Sequence, residues 1–421
     1  MKNVLVLLIA IHAVITAVSQ DAAQWRGPKR DGHYPSAGLL KEWPTAGPPL
    51  LWTCKGIGKG YSSAVSDGKS VYVTGMKDSS DYLTAMDMKG QVLWQVSFGP
   101  SWNGSFPETR CTPTVTGSNV FVLSGRGTIS SIRAGDGRTN WSFDAAKKFS
   151  GVYGEWGVCE SLLITGGLVI CTPAGPRTSM VALDMNTGET VWESRTLHDT
   201  GAYVSPLLVT RGGREIIVTL MANNLAGFDA SNGKVLWRYD YAALDPEESL
   251  KVWPGAPKTN TITPLYHDGR LFITGGYDHP GAMFSLSENG DTIGLLWTTS
   301  TLDCHHGGVV LRDRYIYGSN WLDNSRGNWC CLDWITGKTM YEEKWQTKGS
   351  VIEADGMLYL FEEKGGNTGL LLPDPAKFDL RGSFKIAGGT GPCWAHPTIR
   401  DGVLYIRRGE VVMAYDVRMK K

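Results

Sequence analysis

Five stretches of the chain share one register: TAMDMKGQVLW (Thr84 to Trp94), SIRAGDGRTNW (Ser131 to Trp141), ALDMNTGETVW (Ala182 to Trp192), GFDASNGKVLW (Gly227 to Trp237) and CLDWITGKTMY (Cys331 to Tyr341). In each, a glycine (Gly90, Gly137, Gly188, Gly233 or Gly337) stands four residues ahead of an aromatic. The units recur about every 45 residues, the signature of a fold built from repeats. Each reads as a strand, a polar turn whose glycine supplies positive φ, and a second strand carrying the aromatic. Upstream lie further hairpins turned by Asp-Gly, such as SAVSDGKSVYVTG (Ser63 to Gly75), HDGRLFITGG (His267 to Gly276) and IRDGVLYIR (Ile399 to Arg407). Two hairpins per unit make a four-stranded antiparallel sheet.

Units begin near Ser62, Thr112, Glu160, Ser205, Thr263, Gly308, Ser350 and His396, and the last ends after Val417 without a fourth strand. The segment GPPLLWTCKG (Gly47 to Gly56) reads as an outer strand with no unit of its own. Pairing it with the last unit closes a ring and removes open sheet edges. The prediction is all-β: an eight-bladed β-propeller of four-stranded antiparallel blades, closed by an N-terminal strand and spanning residues 47–421. Seven blades plus an irregular one is the alternative, because Trp297 follows a longer turn and LLLPDPAKFDLRG (Leu370 to Gly382) has no aromatic at the expected place.

Ahead of the ring, Lys2 is followed by VLVLLIAIHAVITAV and then Ala17-Val18-Ser19. This run is shorter than the roughly 20 residues of a membrane span and ends in small residues, so residues 1–19 read as a secretory signal and the protein as periplasmic or secreted, with no membrane span. Residues 20–46 read as an extended arm. Its opening, QWRGPKRDG (Gln24 to Gly32), is predicted to clamp the ring closure, with Trp25 in a groove between blades and Arg26 and Arg30 reaching carbonyls or acids.

Lys+Arg 41 balances Asp+Glu 41 without a block of one sign, which argues against a nucleic-acid partner. Eight cysteines match no zinc spacing and read as buried thiols or one or two bridges. Cys330-Cys331 runs into a strand, whose regular geometry disfavours a bond between neighbours. No Gly-x-Ser-x-Gly, phosphate loop, HExxH or GxGxxG occurs.

The pattern A-x-D-x-x-T-G-x-x-x-W, best kept in Ala182 to Trp192, resembles the tryptophan-docking repeat of the pyrroloquinoline quinone (PQQ) propellers. QWRGPKRDG, TRCTPTV (Thr109 to Val115), EWGVCESLL (Glu155 to Leu163), YVSPLLV (Tyr203 to Val209), HHGGVVL (His305 to Leu311) and WAHPTI (Trp394 to Ile399) resemble segments of a secreted group within that family. The resemblance implies indoles lodged between blades. It does not imply one function, since propellers host enzymes, scaffolds and binders.

These segments lie where each blade's first strand begins, so Arg110, Trp156, Tyr203, His306, Trp394 and His396 are predicted to converge on one funnel as a ligand site. Glu160 and His306 are the candidate catalytic groups, and Arg110 and Glu160 the candidate cofactor contacts. Hydroxyls at the same level (Ser62, Thr112, Ser205, Thr263, Ser350) can instead satisfy backbone groups. His305 and His306, read as strand neighbours, point to opposite faces, which predicts no metal. The inserts GPSWNGSFPE (Gly99 to Glu108) and ALDPEESLKVWPGAPK (Ala243 to Lys258) are expected to overhang the funnel, with Trp102 and Trp253 either stacking on a sugar or pinning their loops.

The expected function is binding or scaffolding of a small molecule or extracytoplasmic protein, without a cofactor. The alternative is a PQQ-dependent dehydrogenase of a small alcohol or sugar. That would need Ca²⁺, and no cluster of acids and amides marks a calcium cage.

Overall fold

The structure, a computed structural model, describes residues 22–244 and 259–420; the predicted signal and Trp253 lie outside them. Eight sheets form the blades of one ring. The innermost strands are Val65–Ser66, Thr114–Thr116, Leu163–Thr165, Leu207–Arg211, Leu265–His267, Val310–Arg312, Gly349–Ala354 and Thr398–Arg400, in blades 1 to 8. The four strands of each blade run antiparallel to their neighbours from inside to outside. Blade 8 takes its outermost strand from the N-terminal side: Leu50–Lys55 pairs antiparallel with Val411–Asp416, with Trp52 opposite Ala414. Among the described residues no helix is long and apolar enough to cross a membrane.

Because strands alternate their side chains between two faces, each blade is apolar on both and must be covered on both. The core is accordingly eight layers, each shared by two neighbouring blades. Val71, Val73 and Met86 of blade 1 pack on Tyr405, Val412 and Ala414 of blade 8, while Leu83, Ala85 and Tyr72 pack on Val120, Val122 and Ile132 of blade 2.

The repeat tryptophan docks one blade on the next, through an indole hydrogen bond at each such position except Trp192, which packs over Gly233 with its Nε1 unpartnered. Trp94 Nε1 donates to Ala134 O (3.1 Å), Trp141 to Met185 O (3.1 Å), Trp237 to Gly290 O (3.2 Å) and Trp52 to Met88 O (3.0 Å). The glycine of the motif therefore has two jobs. At Gly137, φ is +74°, and a Cβ would stand 2.7 Å from Trp94 Cε3, so the turn needs glycine and the indole needs the space. Trp297, after its longer turn, docks like the others, donating to Ile335 O at 3.0 Å and lying over Gly337. Blade 7 has no tryptophan there; Phe384 of its outer strand packs beneath Gly47 and against Tyr415 instead. All eight blades are complete.

The opening of the arm is not extended and does not lie over the ring closure, whereas its later part does reach the last blade, where Leu39 bridges Arg418 and Leu40 N donates to Val417 O. Ala23 bridges Val115 on the inner edge of blade 2, and the next residues turn repeatedly, with Gly27 N bonded to Gln24 O, Arg30 N to Gly27 O and Gly32 N to Arg26 O. His33–Tyr34 then pairs parallel with Gly349–Ala354 as a fifth strand of blade 7. QWRGPKRDG thus crosses the central channel from blade 2 to blade 7 and fills it. Its arginines do reach carbonyls: Arg30 those of Ser161 (2.8 Å), Leu162 and Pro206 (3.0 Å), and Arg26 those of Val351 (3.1 Å) and Val309 (2.5 Å).

Candidate functional site

On one side of the plug the channel widens into a funnel of about 620 Å³. Its wall comes from the connections between blades and from turns on the same face. Among the described residues seven Trp, Tyr and Phe side chains line it: Trp25 from the plug, Tyr61 ahead of blade 1, Phe106, Trp156, Tyr203 and Trp394 from inter-blade connections, and Tyr277 from a turn of blade 5. Most form a chain of ring contacts. Tyr203 meets Trp156 at 5.5 Å, Trp156 meets Phe106 at 6.4 Å, and Phe106 meets Trp394 at 6.0 Å. Trp394 continues to His306 at 4.9 Å, His306 to His305 at 3.6 Å and His305 to Tyr277 at 4.5 Å.

Of the predicted residues, Arg110, Trp156, Tyr203, His306, Trp394 and His396 all line this cavity. Glu160 does not. Its side chain is buried in blade 3, where its carboxylate accepts from Thr172 N at 2.9 Å, and burial pushes its pKa up to about 8. It does not line the cavity, where the sequence reading places it as a catalytic or cofactor contact.

Two further predictions, for the histidine pair and for Trp25, are revised by local geometry, and the alternative left open at Trp102 is decided. His305 and His306 occupy a bend outside any strand, so strand alternation does not apply, and both rings line the funnel. Trp102 is a loop pin: its Nε1 donates to Ser105 O (2.9 Å), it packs on Gly125 and Gly157, and it is absent from the lining. Trp25 stands in the funnel beside His396 (5.4 Å) rather than in a groove between blades. Cys330 and Cys331 are free thiols within the strand Trp329–Asp333.

Four of the five predicted hydroxyls, those of Ser62, Thr112, Ser205 and Thr263, bond to backbone groups, while Ser350 Oγ is buried without a partner. Thr112 Oγ1 accepts from Ser63 N (2.9 Å), Ser161 Oγ from Thr112 N (3.0 Å) and Ser205 Oγ from Ser161 N (3.0 Å), each reaching back to the preceding blade. Below them His396 is a fixed neutral link. Arg26, a donor only, meets its Nδ1 at 3.0 Å, so Nε2 carries the proton and donates to His306 O at 2.8 Å. Burial, then the Arg26 charge, holds its pKa down to about 3.

Tyr61, Phe106, Tyr277 and Glu363 are wall residues that motif reading did not single out. Phe106 lies within the insert already expected to overhang the funnel. Tyr277 and Glu363 come from turns between second and third strands, which topology places on the same face as the inter-blade connections. Glu363 Oε1 pairs with buried Lys348 at 2.7 Å. Burial works to raise its pKa, but His306 and Lys348 outweigh it and hold the carboxyl below its usual value.

PQQ with Ca²⁺ asks for cations opposite three carboxylates and an oxygen cage for the ion. Among the lining residues the one arginine, Arg110, already donates to Glu108 O (2.9 Å) and Phe106 O. The lining carboxylates, Glu155 and Glu363, do not form a cage with Asn324, since Glu363 is committed to Lys348 and flanked by imidazoles. Among the described residues the donor set does not fit that cofactor.

The comparisons with known proteins are consistent with this architecture. The family model described as outer membrane protein assembly factor BamB (PQQ_2) matches residues 79–347. No curated protein matches the sequence. Among solved structures, BamB from Moraxella catarrhalis superposes with a TM-score of 0.61 at 14% identity, covering 88% of this chain and 99% of that one. A europium-containing methanol dehydrogenase gives 0.64 at 11% identity, covering 92% and 90%. The quinohemoprotein alcohol dehydrogenase from Comamonas testosteroni gives 0.65 at 12% identity, covering 93% and 80%. At these identities the likeness is one of fold.

Proposed function

The chain belongs to the PQQ_2 family of PQQ-like propellers, and from that premise we propose that it is an exported, non-catalytic binding protein whose funnel takes a small ligand with flat apolar faces and a hydroxylated edge, a saccharide by class. The observation that carries this reading is the convergence of seven aromatic residues on one cavity of about 620 Å³. Indole and phenol faces match the C–H faces of a sugar ring, while Arg110, Glu155, Asn324 and Thr259 supply a charge-balanced set of donors and acceptors for its hydroxyls. Nothing in the lining is arranged as nucleophile and base. The leader and the absence of a nucleic-acid-like charge balance support an extracytoplasmic small-molecule partner.

The dehydrogenase alternative shares the fold but not the donors for PQQ and Ca²⁺. Both readings meet in one experiment: calorimetry and tryptophan fluorescence with a panel of neutral mono- and oligosaccharides, beside thermal unfolding with PQQ plus Ca²⁺ against Ca²⁺ alone. The expected result is a saccharide that quenches the fluorescence, with binding lost in Trp394→Ala and Trp156→Ala proteins of native circular dichroism. A panel without a single binder would sink the saccharide reading. A PQQ-specific rise in Tm would replace it with the quinoprotein one.

A further inference from the structure

The funnel wall contains one cluster that a purely organic ligand does not explain. We propose that His305, His306 and Glu363 form a site for a divalent transition-metal ion of the Zn²⁺ class, opening into the funnel. This goes beyond the saccharide reading and does not depend on it.

The three side chains each offer a donor atom, and these atoms all lie within 4.8 Å of one another. His306 Nδ1 stands 3.9 Å from Glu363 Oε2. An ion about 2.1 Å from each donor draws donors to roughly 3.0–3.5 Å apart, a contraction that side-chain rotation supplies. The His305 and His306 rings, with centroids 3.6 Å apart and a tilt of 33°, have to part by on the order of 1–2 Å to ligate one ion at tetrahedral angles.

A second observation is independent of this proximity. His305 is 6% exposed, lines the cavity, and neither of its ring nitrogens has a hydrogen-bond partner; His306 Nδ1 has none either. Buried polar atoms are nearly always partnered, and an orphaned imidazole in a cavity wall asks for a missing ligand.

The carboxylate is divided in the same sense. Glu363 Oε1 is held by Lys348, leaving Oε2 turned towards His306. The bend that carries the histidines is fixed from behind: His396 donates to His306 O, Thr261 to His305 O, and Arg26 to Val309 O. Such support orients first ligands in metal sites. Two imidazoles and one carboxylate suit Zn²⁺ or Fe²⁺ over Ca²⁺ and Mg²⁺, with remaining positions open to the cavity.

The test uses the untagged full chain, freed of metal by chelator dialysis and titrated with Zn²⁺ against a chromophoric chelator. Co²⁺ serves as a spectroscopic probe. One equivalent per chain is expected, with Co²⁺ d–d bands. His305→Gln and His306→Gln should each lower Zn²⁺ affinity by more than the roughly 10–100-fold that loss of an outer-shell partner costs, and His198→Ala, at an exposed loop, should leave it unchanged. No tight equivalent, or equal binding by folded His305→Gln and His306→Gln, overturns the proposal. Should those variants fail to fold, anomalous scattering from Zn²⁺-soaked crystals of the unaltered protein decides: density between the three side chains supports the site, and density elsewhere or none refutes it. Saccharide titrations of the metal-free protein stand or fall separately.

Discussion

Arg26 and His305 meet the same bend from opposite sides. Arg26 is 2% exposed, and its guanidinium bonds to carbonyls of blades 6 and 7 and to His396. His305 is about as buried and bonds to nothing through its ring. The plug below the funnel is a region of saturated polar groups, whereas the wall above it keeps polar atoms and aromatic faces unspent. Buried polarity alone does not mark a binding site; buried polarity left without partners does.

The sharpest way to break this contrast is to remove a plug arginine. Arg30→Met strips donors from the carbonyls of Ser161, Leu162 and Pro206. At about 1–3 kcal/mol per stranded buried acceptor, the loss in unfolding free energy should be on the order of 3 kcal/mol or more. Denaturant unfolding measures it. His305→Gln should cost less than about 1 kcal/mol by the same assay, because it breaks no ring hydrogen bond. Equal losses would erase the distinction between plug and wall.

Next in size is a pH effect with two limbs. Glu160 has its pKa raised from 4.5 to about 8 by burial, against the opposing pull of its Thr172 bonds and Arg30. The unfolded chain therefore releases this proton first, and stability falls as pH rises from about 4.5 to about 8. His396 is depressed from 6.5 to about 3, so its contribution is intact above 6.5 and is lost as pH falls towards 3. Urea unfolding across pH 5–8 should show the Glu160 slope, and Glu160→Gln should flatten its alkaline part. An unchanged slope would mean that the carboxylate ionises in place.

The smallest stability effect is expected at Trp25, which is half-exposed in the funnel. Trp25→Ala should shift unfolding by less than about 1 kcal/mol, a degree or two for a chain this long, while weakening funnel ligands. A large drop in Tm would return Trp25 to the structural role first expected of it.

The blades were legible because their information is local. A glycine four residues before an aromatic carries turn, strand and docking surface together, and even Trp297, displaced by a longer turn, finds its carbonyl. The funnel was half legible: Trp156, Tyr203 and Trp394 stand beside strand starts that the repeat locates. His305 was misread because period-two alternation was applied to two residues in a bend, and Glu160 because three residues before a strand can face the blade interior as well as the channel. The plug was least legible. Nothing within QWRGPKRDG names its partners, which lie 131 residues away for Ser161 and 370 for His396.

That last separation has a consequence for how the molecule comes to be made. The residues synthesised first, Arg26 and the strand Leu50–Lys55, complete their contacts only with His396 and with Val411–Asp416, which emerge near the end. Local hairpins can form while the chain grows, but the channel and the ring must wait for its last few dozen residues. A topology dominated by such distant pairings folds slowly and exposes sheet edges meanwhile. Loss of even the strand Val411–Asp416 would leave Leu50–Lys55 without a partner.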